Sequence, residues 1–294
     1  MILVVGATGV LGSEVCRLLE VGGKPVRGLV RTTSNPEKVN ELKDYGVDLV
    51  QGDLRDRSSL DEACQGINAV ISTASAMPRS YQADDNDLQS VDMDGQMNLI
   101  EASKSAGVHQ FIYISFTADN DFPLRNAKRA VEAYLKESGL IYTILRSGYF
   151  MEAWLGPGVG FDVANAKARV FGSGENQISW ISYRDVARFA VDSLDNPKAV
   201  NANLALGGPE ALSQLAVIKI FEEMGGRQFE KQYVSEEALI KQQMASKDPM
   251  QQSYYGLMRW YAQGDPIEME KTLEAFPLEL TSVQDYAQQV LITA

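Results

Sequence analysis

Met1-Ile2-Leu3-Val4-Val5-Gly6-Ala7-Thr8-Gly9-Val10-Leu11-Gly12 is the stretch that decides the fold. Its first half, Ile2–Val5, is a continuous apolar run of strand length, and Gly6 ends it at once. Its second half opens an amphipathic pattern of helical period, Leu11–Val21. The glycines stand as GxxGxxG rather than GxGxxG. Gly6 permits the tight turn, Gly9 lets backbone N–H groups approach a pyrophosphate, and Gly12 lets the helix pack close to the sheet. The start of the helix then offers free N–H groups and its positive dipole end to the phosphates. A glycine triplet alone is a weak signal, and a ligand-free glycine-rich turn is the alternative. Position after a first strand and at the opening of a helix favours a dinucleotide, with Thr8, Val10 and Leu11 completing the loop.

The same rhythm continues outward from this unit. Apolar runs at Pro25–Val30, Asp48–Gln51, Ala69–Ser72, Gln110–Ile114 and Tyr142–Leu145 alternate with helical patterns at Asn35–Tyr45, Ser58–Cys64, Asp87–Ala106 and Asn126–Ser138. Asn35 followed by Pro36 marks a helix start, Ser58 or Ser59 is a candidate cap for the next helix, and Gly107 and Gly139 mark helix ends. Alternating β and α predicts an α/β fold, a doubly wound parallel (Rossmann) sheet. Beyond about Gly148 the character changes. Strand-like pieces at Val170–Phe171, Ile178–Ile181 and Leu204–Gly207 are interleaved with helices at Arg184–Leu194, Ser213–Met224 and Ser235–Lys247. The expected division is a dinucleotide-binding domain over 1–150 and a smaller mixed α/β substrate lobe over 151–294, with the chain crossing back between them.

Bulk composition excludes several classes. The chain has 294 residues, 45% hydrophobic and 22% charged, an ordinary globular balance. A net charge of -12, from 27 Lys+Arg against 39 Asp+Glu, speaks against nucleic-acid binding, which needs a basic face. No apolar stretch reaches the roughly 18 residues of a membrane span, and the N-terminus has no basic segment with a cleavage site, so a cytoplasmic monomer or homodimer is expected. Cys16, Cys64 and the single His109 make no metal-ligand pattern; the cysteines read as small buried hydrophobes. His109 precedes its strand, at the end opposite the expected site.

The cofactor's type is read at the end of the second strand. An acidic residue there, about 20 residues after the glycine loop, would hold the ribose 2′-hydroxyl of NAD. Here the strand ends on Arg31, followed by Thr32, Thr33 and Ser34, with Lys38 one turn into the next helix. A guanidinium beside hydroxyls suits a 2′-phosphate, so the expected cofactor is NADP(H), against the alternative that Arg31 is a solvated surface residue. Ligands lie outside the carboxyl ends of parallel strands, which places Asp53 and Leu54 near the adenine and Thr73, Ala74 and Ser75 along the cofactor's middle.

Gly6-Ala-Thr-Gly-Val-Leu-Gly12, Val30-Arg31, Gly52-Asp53-Leu54, Phe111-Ile-Tyr-Ile-Ser115 and Tyr142-Thr-Ile-Leu-Arg146 occur in that order. As a set, over roughly residues 1–230, they resemble the NmrA-like group of atypical short-chain dehydrogenase/reductases. That group holds isoflavone-reductase-like enzymes, triphenylmethane reductase and NADPH-dependent quinone oxidoreductases, and also regulatory proteins that bind NADP without turnover. The resemblance implies a lysine that holds the nicotinamide ribose, at Lys128, and a tyrosine four positions earlier as proton donor. That position is Leu124, so the usual donor is missing. Ser115 falls on the superfamily's Ser/Thr position and would hydrogen-bond a substrate carbonyl; Phe116 would make the neighbouring wall apolar; Tyr149 is a candidate phenol. The competing reading of Lys128 is an exposed helix lysine alongside Arg125 and Arg129. Phe150, Met151, Trp154 and Trp180 would line a pocket for an apolar or aromatic small molecule, or simply form core; Ser182 or Asp185 reads as a helix cap. Two functions follow: an NADPH-dependent reductase passing hydride to a small carbonyl, quinone or conjugated double bond, or a non-catalytic NADP-binding redox-sensing or assembly protein.

Overall fold

The computed structural model describes residues 1–77 and 87–293. The chain runs β1 (Ile2–Val5), α1 (Val10–Val21), β2 (Val26–Val30), α2 (Pro36–Asp44), β3 (Asp48–Gln51), α3 (Arg57–Ala63) and β4 (Ala69–Ser72). A π-helical segment, Leu88–Gly95, leads into α4 (Gln96–Ser105), followed by β5 (Gln110–Phe116), α5 (Pro123–Glu137) and β6 (Ile141–Ser147). Then come β7 (Tyr149–Phe150), α6 (Met151–Trp154), β8 (Phe161–Asp162), β9 (Lys167–Phe171), β10 (Gln177–Ile181), α7 (Tyr183–Asp192) and β11 (Ala202–Leu206). The remainder is β12 (Ala211–Ser213), α8 (Gln214–Gly225), β13 (Glu230–Val234), α9 (Glu236–Ala245), α10 (Pro249–Gln263), α11 (Glu270–Ala275) and α12 (Val283–Thr293).

Seven strands form the main sheet in the order β11-β6-β5-β4-β1-β2-β3. The pairs β1–β2, β2–β3, β1–β4 and β4–β5 are parallel, so the order reverses at β1, where the glycine loop leaves the sheet. Both β1 and β4 are buried along their whole length, which is why they appear as unbroken apolar runs in the sequence. Leu3, Val5, Val70, Phe111, Tyr113 and Ile144 share one core with Leu60, Leu99, Val131 and Leu135 from the helices.

Two compact units divide the chain discontinuously. The first comprises residues 1–115, 126–145 and 186–204; the second comprises 116–125, 146–185 and 205–294. A single boundary at 150 is therefore replaced by several crossings. Residues 186–204, expected in the C-terminal lobe, belong to the first unit, and β11 lies at the edge of the main sheet beside β6. The second unit carries two small sheets, β12-β10-β7 and β13-β9-β8.

Other local departures have local causes. Asp56, not Ser58 or Ser59, caps α3: its carboxylate accepts from the Ser58 N–H at 3.0 Å. The expected helix from Asp87 begins as a π-helix, with the Asp87 side chain accepting from the Ser90 N–H at 2.7 Å. Gly95 closes this segment against Leu54; a Cβ there would lie 2.8 Å from the Leu54 Cβ and 2.7 Å from the Ser90 carbonyl. Wider π-turns of this kind are often found at functional sites.

Candidate cofactor cradle and active site

The glycine loop is built by close backbone approach. Gly6 has φ of 85°, in the left-handed region, and its carbonyl accepts from the Gly9 N–H at 2.9 Å. Gly12 passes directly over that carbonyl: a Cβ at Gly12 would sit 2.1 Å from the Gly6 oxygen. The loop is tied to the neighbouring strand, where the Thr73 N–H and hydroxyl both donate to the Val5 carbonyl, at 2.9 and 3.0 Å. Helix α1 starts at Gly9 with no side-chain cap and no acidic residue in its first turn, and Val10 is 68% exposed. No side chain caps its first N–H groups, an arrangement that fits a phosphate anion. Thr8 is half-buried and Leu11 is buried beneath the loop.

At the end of β2, Arg31 and Thr32 are exposed, and the Arg31 N–H donates to Ser34 Oγ at 2.9 Å. Asp53 is not a free ligand. Arg55 grips its carboxylate through Nε and Nη2 at 2.9 and 2.8 Å. This hydrogen bonding, with the charge of Arg31 as a smaller contribution, holds Asp53 below the usual carboxylate range. Arg55, itself paired with Asp53, also lies at this end, which the sequence reading missed. Lys38, expected to supply a second charge, pairs with Glu41 at 2.6 Å. Leu54 is buried, under Gly95. These residues fit a dinucleotide with an extra phosphate: an uncapped helix start, a cradle that a single Cβ would fill, and cations at the ribose edge.

The lysine end is more elaborate than the sequence suggested. Lys128 is no exposed helix lysine: it is 5% exposed, with Nζ 3.6 Å from Asp92 Oδ1, 3.5 Å from the Ile114 carbonyl and 5.2 Å above the Tyr113 ring. Burial lowers its pKa, while Asp92 and Glu132 oppose that fall. The other Asp92 oxygen accepts from the Ala76 N–H at 2.8 Å, and Gln96 joins the Ser72 hydroxyl (2.7 Å) to the Ala74 carbonyl (3.1 Å). Thr73, Ala74 and Ser75 are half-buried, and side chains from the segment 92–96 hold the strand end before them and the loop that carries them. Asp92 and Gln96 escaped the sequence reading. Their signal was two polar residues four apart, on one face of an otherwise apolar helical pattern.

Ser115 departs from expectation. Its hydroxyl hydrogen goes to Glu132 Oε1 at 2.6 Å, and its oxygen accepts from Arg129 at 3.3 Å. A carboxylate as buried as Glu132, 2% exposed, needs such charge-assisted partners. Tyr149 lies in the second unit. It is fully buried, stacked on Trp260 at 4.1 Å and edge-on to Trp154 at 4.8 Å, and its hydroxyl has no hydrogen-bond partner among the described residues. Met151 and Trp180 are also buried in the second unit, as core. Leu124 is 3% exposed and its N–H donates to Ser253 Oγ at 3.0 Å. Ser182, not Asp185, starts α7: its Oγ accepts from the Arg184 N–H at 3.2 Å. Among the described residues no group of three or more His, Cys, Asp or Glu could hold a metal ion, and no helix is long and apolar enough to cross a membrane.

The profile of the NmrA-like family matches residues 1–287. The chain belongs to the NmrA-like family. Within it, the chain is 33% identical over 231 residues to an NAD(P)H azoreductase of Xenophilus azovorans, covering 77% of this chain and 74% of that protein. It is 32% identical over 230 residues to the photosystem II assembly factor Ycf39 of Trieres chinensis, covering 77% and 69%. Among solved structures, an isoflavone reductase superposes with a TM-score of 0.78 at 26% identity over 98% of both chains. An Escherichia coli NADPH-dependent quinone oxidoreductase, solved with NADPH, shares the fold at a TM-score of 0.75 and 22% identity over 99% of both. The family's members thus include NAD(P)H-dependent reductases and assembly factors, and structural relatives bind NADP(H).

Proposed function

We propose that this NmrA-like protein is an NADPH-dependent reductase that passes hydride to a small carbonyl, quinone or conjugated double bond. The observation that carries the reading is the pairing of two features in one unit. One is a glycine cradle that a single Cβ would obstruct. The other is a lysine buried against Asp92, in the helix that follows β5. Gly6, Gly9, Gly12 and the start of α1 would hold the pyrophosphate, and Arg31, with Thr32 and Arg55 beside it, the 2′-phosphate. Lys128 would meet the nicotinamide ribose. The bound cofactor supplies the hydride; the chain supplies placement and polarisation. The substrate class expected from the relatives is apolar or aromatic.

Two measurements test this. Purified protein with saturating NADPH is assayed for NADPH oxidation against a panel of quinones, aldehydes and enones; silence across the panel rejects the reductase. For the cofactor, Arg31→Ala should weaken NADPH binding at least about tenfold more than NADH binding, the loss expected for one charge-assisted contact. Equal losses refute a 2′-phosphate site at Arg31.

A second reading has its own observations. Leu124 stands where the superfamily has its proton-donating tyrosine, and the chain resembles an assembly factor over 77% of its length. On this reading the protein binds NADP and reports its occupancy to a partner without turnover. NADPH binding with no acceptor reduced would favour it.

A further inference from the structure

Residues from α6, from the start of α7 and from α12 with its approach line a cavity of about 220 Å³. Glu152, Ser182, Tyr183, Arg184, Thr281 and Tyr286 are among them, and every lining residue belongs to the second unit. Hydrogen bonds between these elements fix the walls. Glu152 Oε1 accepts from the Ser182 hydroxyl at 2.5 Å and its Oε2 from the Tyr183 N–H at 3.1 Å, which joins α6 to the start of α7. Asp185 Oδ2 accepts from the Thr281 N–H at 2.8 Å, which joins the approach to α12 to the first turn of α7. The start of α12 is held in turn by Asp285, whose carboxylate accepts from the Ser282 N–H at 3.1 Å and from its hydroxyl at 2.5 Å. Tyr286, in the first turn of α12, therefore meets a preformed wall, and filling the cavity orders little of the chain.

The cavity holds a negative charge without a counter-ion. Glu152 is half-buried. Burial raises its pKa and the charge of Asp185 adds to the rise, against the lowering effect of its hydrogen bonds with Ser182 and Tyr183. Among the described residues, the charged group that acts on Glu152 is thus a second carboxylate and not a lysine or arginine. Arg184 is exposed, with its guanidinium 6.0 Å from the centroid of the Tyr183 ring. Tyr183 and Tyr286 put aromatic rings beside the carboxylate; burial, and then the charge of Glu152, push the Tyr286 phenol up to about 12. A partly buried carboxylate between aromatic rings, with no protein cation on it, suits a cation from outside. A metal ion is a poor candidate, because among the described residues no group of three or more His, Cys, Asp or Glu could hold one. The volume exceeds that of a single ion and falls below the roughly 300–1,000 Å³ of sites for drug-sized ligands, so the fitting cation is a small organic one.

We propose that this cavity binds a small organic ammonium compound, with its N–H groups on Glu152 and its apolar body against Tyr183 and Tyr286. The assignment stands within the second unit and does not rest on the reductase reading: it holds whether or not the protein oxidises NADPH.

Benzylamine, protonated at pH 7, is the probe, and benzyl alcohol is its uncharged counterpart of similar shape. The full chain, with 13C-labelled tyrosine, is titrated with each. The ring resonances of Tyr183 and Tyr286 are assigned by their loss in Tyr183→Phe and Tyr286→Phe. Benzylamine should shift both saturably, and benzyl alcohol should bind at least about tenfold more weakly, the loss expected for one charge-assisted hydrogen bond. Glu152→Gln keeps an acceptor for the Tyr183 N–H but no charge, and should weaken benzylamine about tenfold or more. Tyr286→Leu removes an aromatic face and should weaken it about threefold, while Tyr286→Phe keeps the face and should bind as wild type does. The inference is overturned if benzylamine leaves the two rings unshifted, if the alcohol binds as tightly as the amine, or if folded Glu152→Gln keeps wild-type affinity. Should Glu152→Gln fail to fold, the Tyr286 pair decides: equal affinities of Tyr286→Leu and Tyr286→Phe overturn it.

Discussion

Removing the carboxylate of Asp92 should destabilise the protein in a way that depends on pH, with the largest cost in acid. Asp92 is fully buried, and the Lys128 ammonium 3.6 Å away is its counter-charge. At an effective dielectric constant of about 20, two charges at that 3.6 Å separation attract by roughly 4–5 kcal/mol. Much of this offsets the desolvation of both groups, so the pair itself contributes little net stability. Deleting one member is different, because the other charge stays buried alone, at a cost of about 3–5 kcal/mol. Asp92→Asn isolates the charge, since its amide oxygen can still accept from the Ala76 N–H. Asp92→Ala loses that bond too and should cost about 1 kcal/mol more. The sign of the pH dependence follows from Lys128. Its folded pKa already lies below the unfolded value, so between the two the unfolded chain binds more protons and stability rises with pH. Without Asp92 the folded pKa falls further and the interval widens downward. Lys128 then escapes its penalty at high pH by releasing its proton, and bears it fully in acid. Urea denaturation of wild type, Asp92→Asn and Asp92→Ala at about pH 6 and pH 9 measures this directly. The expected result is a loss at pH 6 clearly larger than at pH 9 for both variants. Equal losses at the two pH values, or no loss, would refute the idea that Lys128 is held as a buried cation by Asp92.

Gly12→Ala brings a Cβ to 2.1 Å from the Gly6 carbonyl and 2.9 Å from Thr73 Oγ1, so the cradle must open. It should cost about 1–3 kcal/mol of stability, and added NADPH should no longer raise the melting temperature; an unchanged thermal shift with NADPH refutes the placement of the pyrophosphate. Tyr149→Phe removes a buried hydroxyl that has no hydrogen-bond partner among the described residues, so the variant should be as stable as wild type or more so, and should keep its turnover. Loss of kcat with an unchanged fold would return Tyr149 to the list of proton donors.

The sheet was legible because parallel strands buried on both faces appear as nearly uninterrupted apolar runs: β1 and β4 begin and end where the apolar pattern does. The glycine cradle was legible because its constraint is local, one backbone passing over another within seven residues, Gly6 to Gly12. What escaped depends on partners distant in the chain. Nothing near Ala202–Leu206 says that this strand pairs with β6 and not within the C-terminal lobe. Apolar spacing over Leu88–Gly95 does not separate a π-helix from an α-helix, and the close approach of Gly95 to Leu54, 41 residues away in the chain, is not visible locally. Ser115 was read from its position at a strand end. Its hydrogen-bond partner is Glu132, on the next helix, whose burial no local pattern reveals.

The same distinction bears on how the two functional readings are to be separated. Lys128 has a structural task whether or not any hydride moves: it neutralises Asp92, and Asp92 in turn fixes the backbone at Ala76. A protein that only binds NADP needs the cradle and that pair as much as a reductase does, so a lysine at 128 does not by itself argue for turnover. Position 124 is itself tightly held. Its backbone N–H is held by Ser253, its neighbour Phe122 lies so close to Gly256 that a Cβ there would come within 2.5 Å of the ring, and Asn120 donates to the Gly256 carbonyl at 3.0 Å. The segment that would carry a tyrosine is thus locked into the packing of α10, with an apolar side chain where the phenol would stand. The choice between the two readings therefore turns on whether bound NADPH is oxidised by an acceptor, and not on the presence of Lys128.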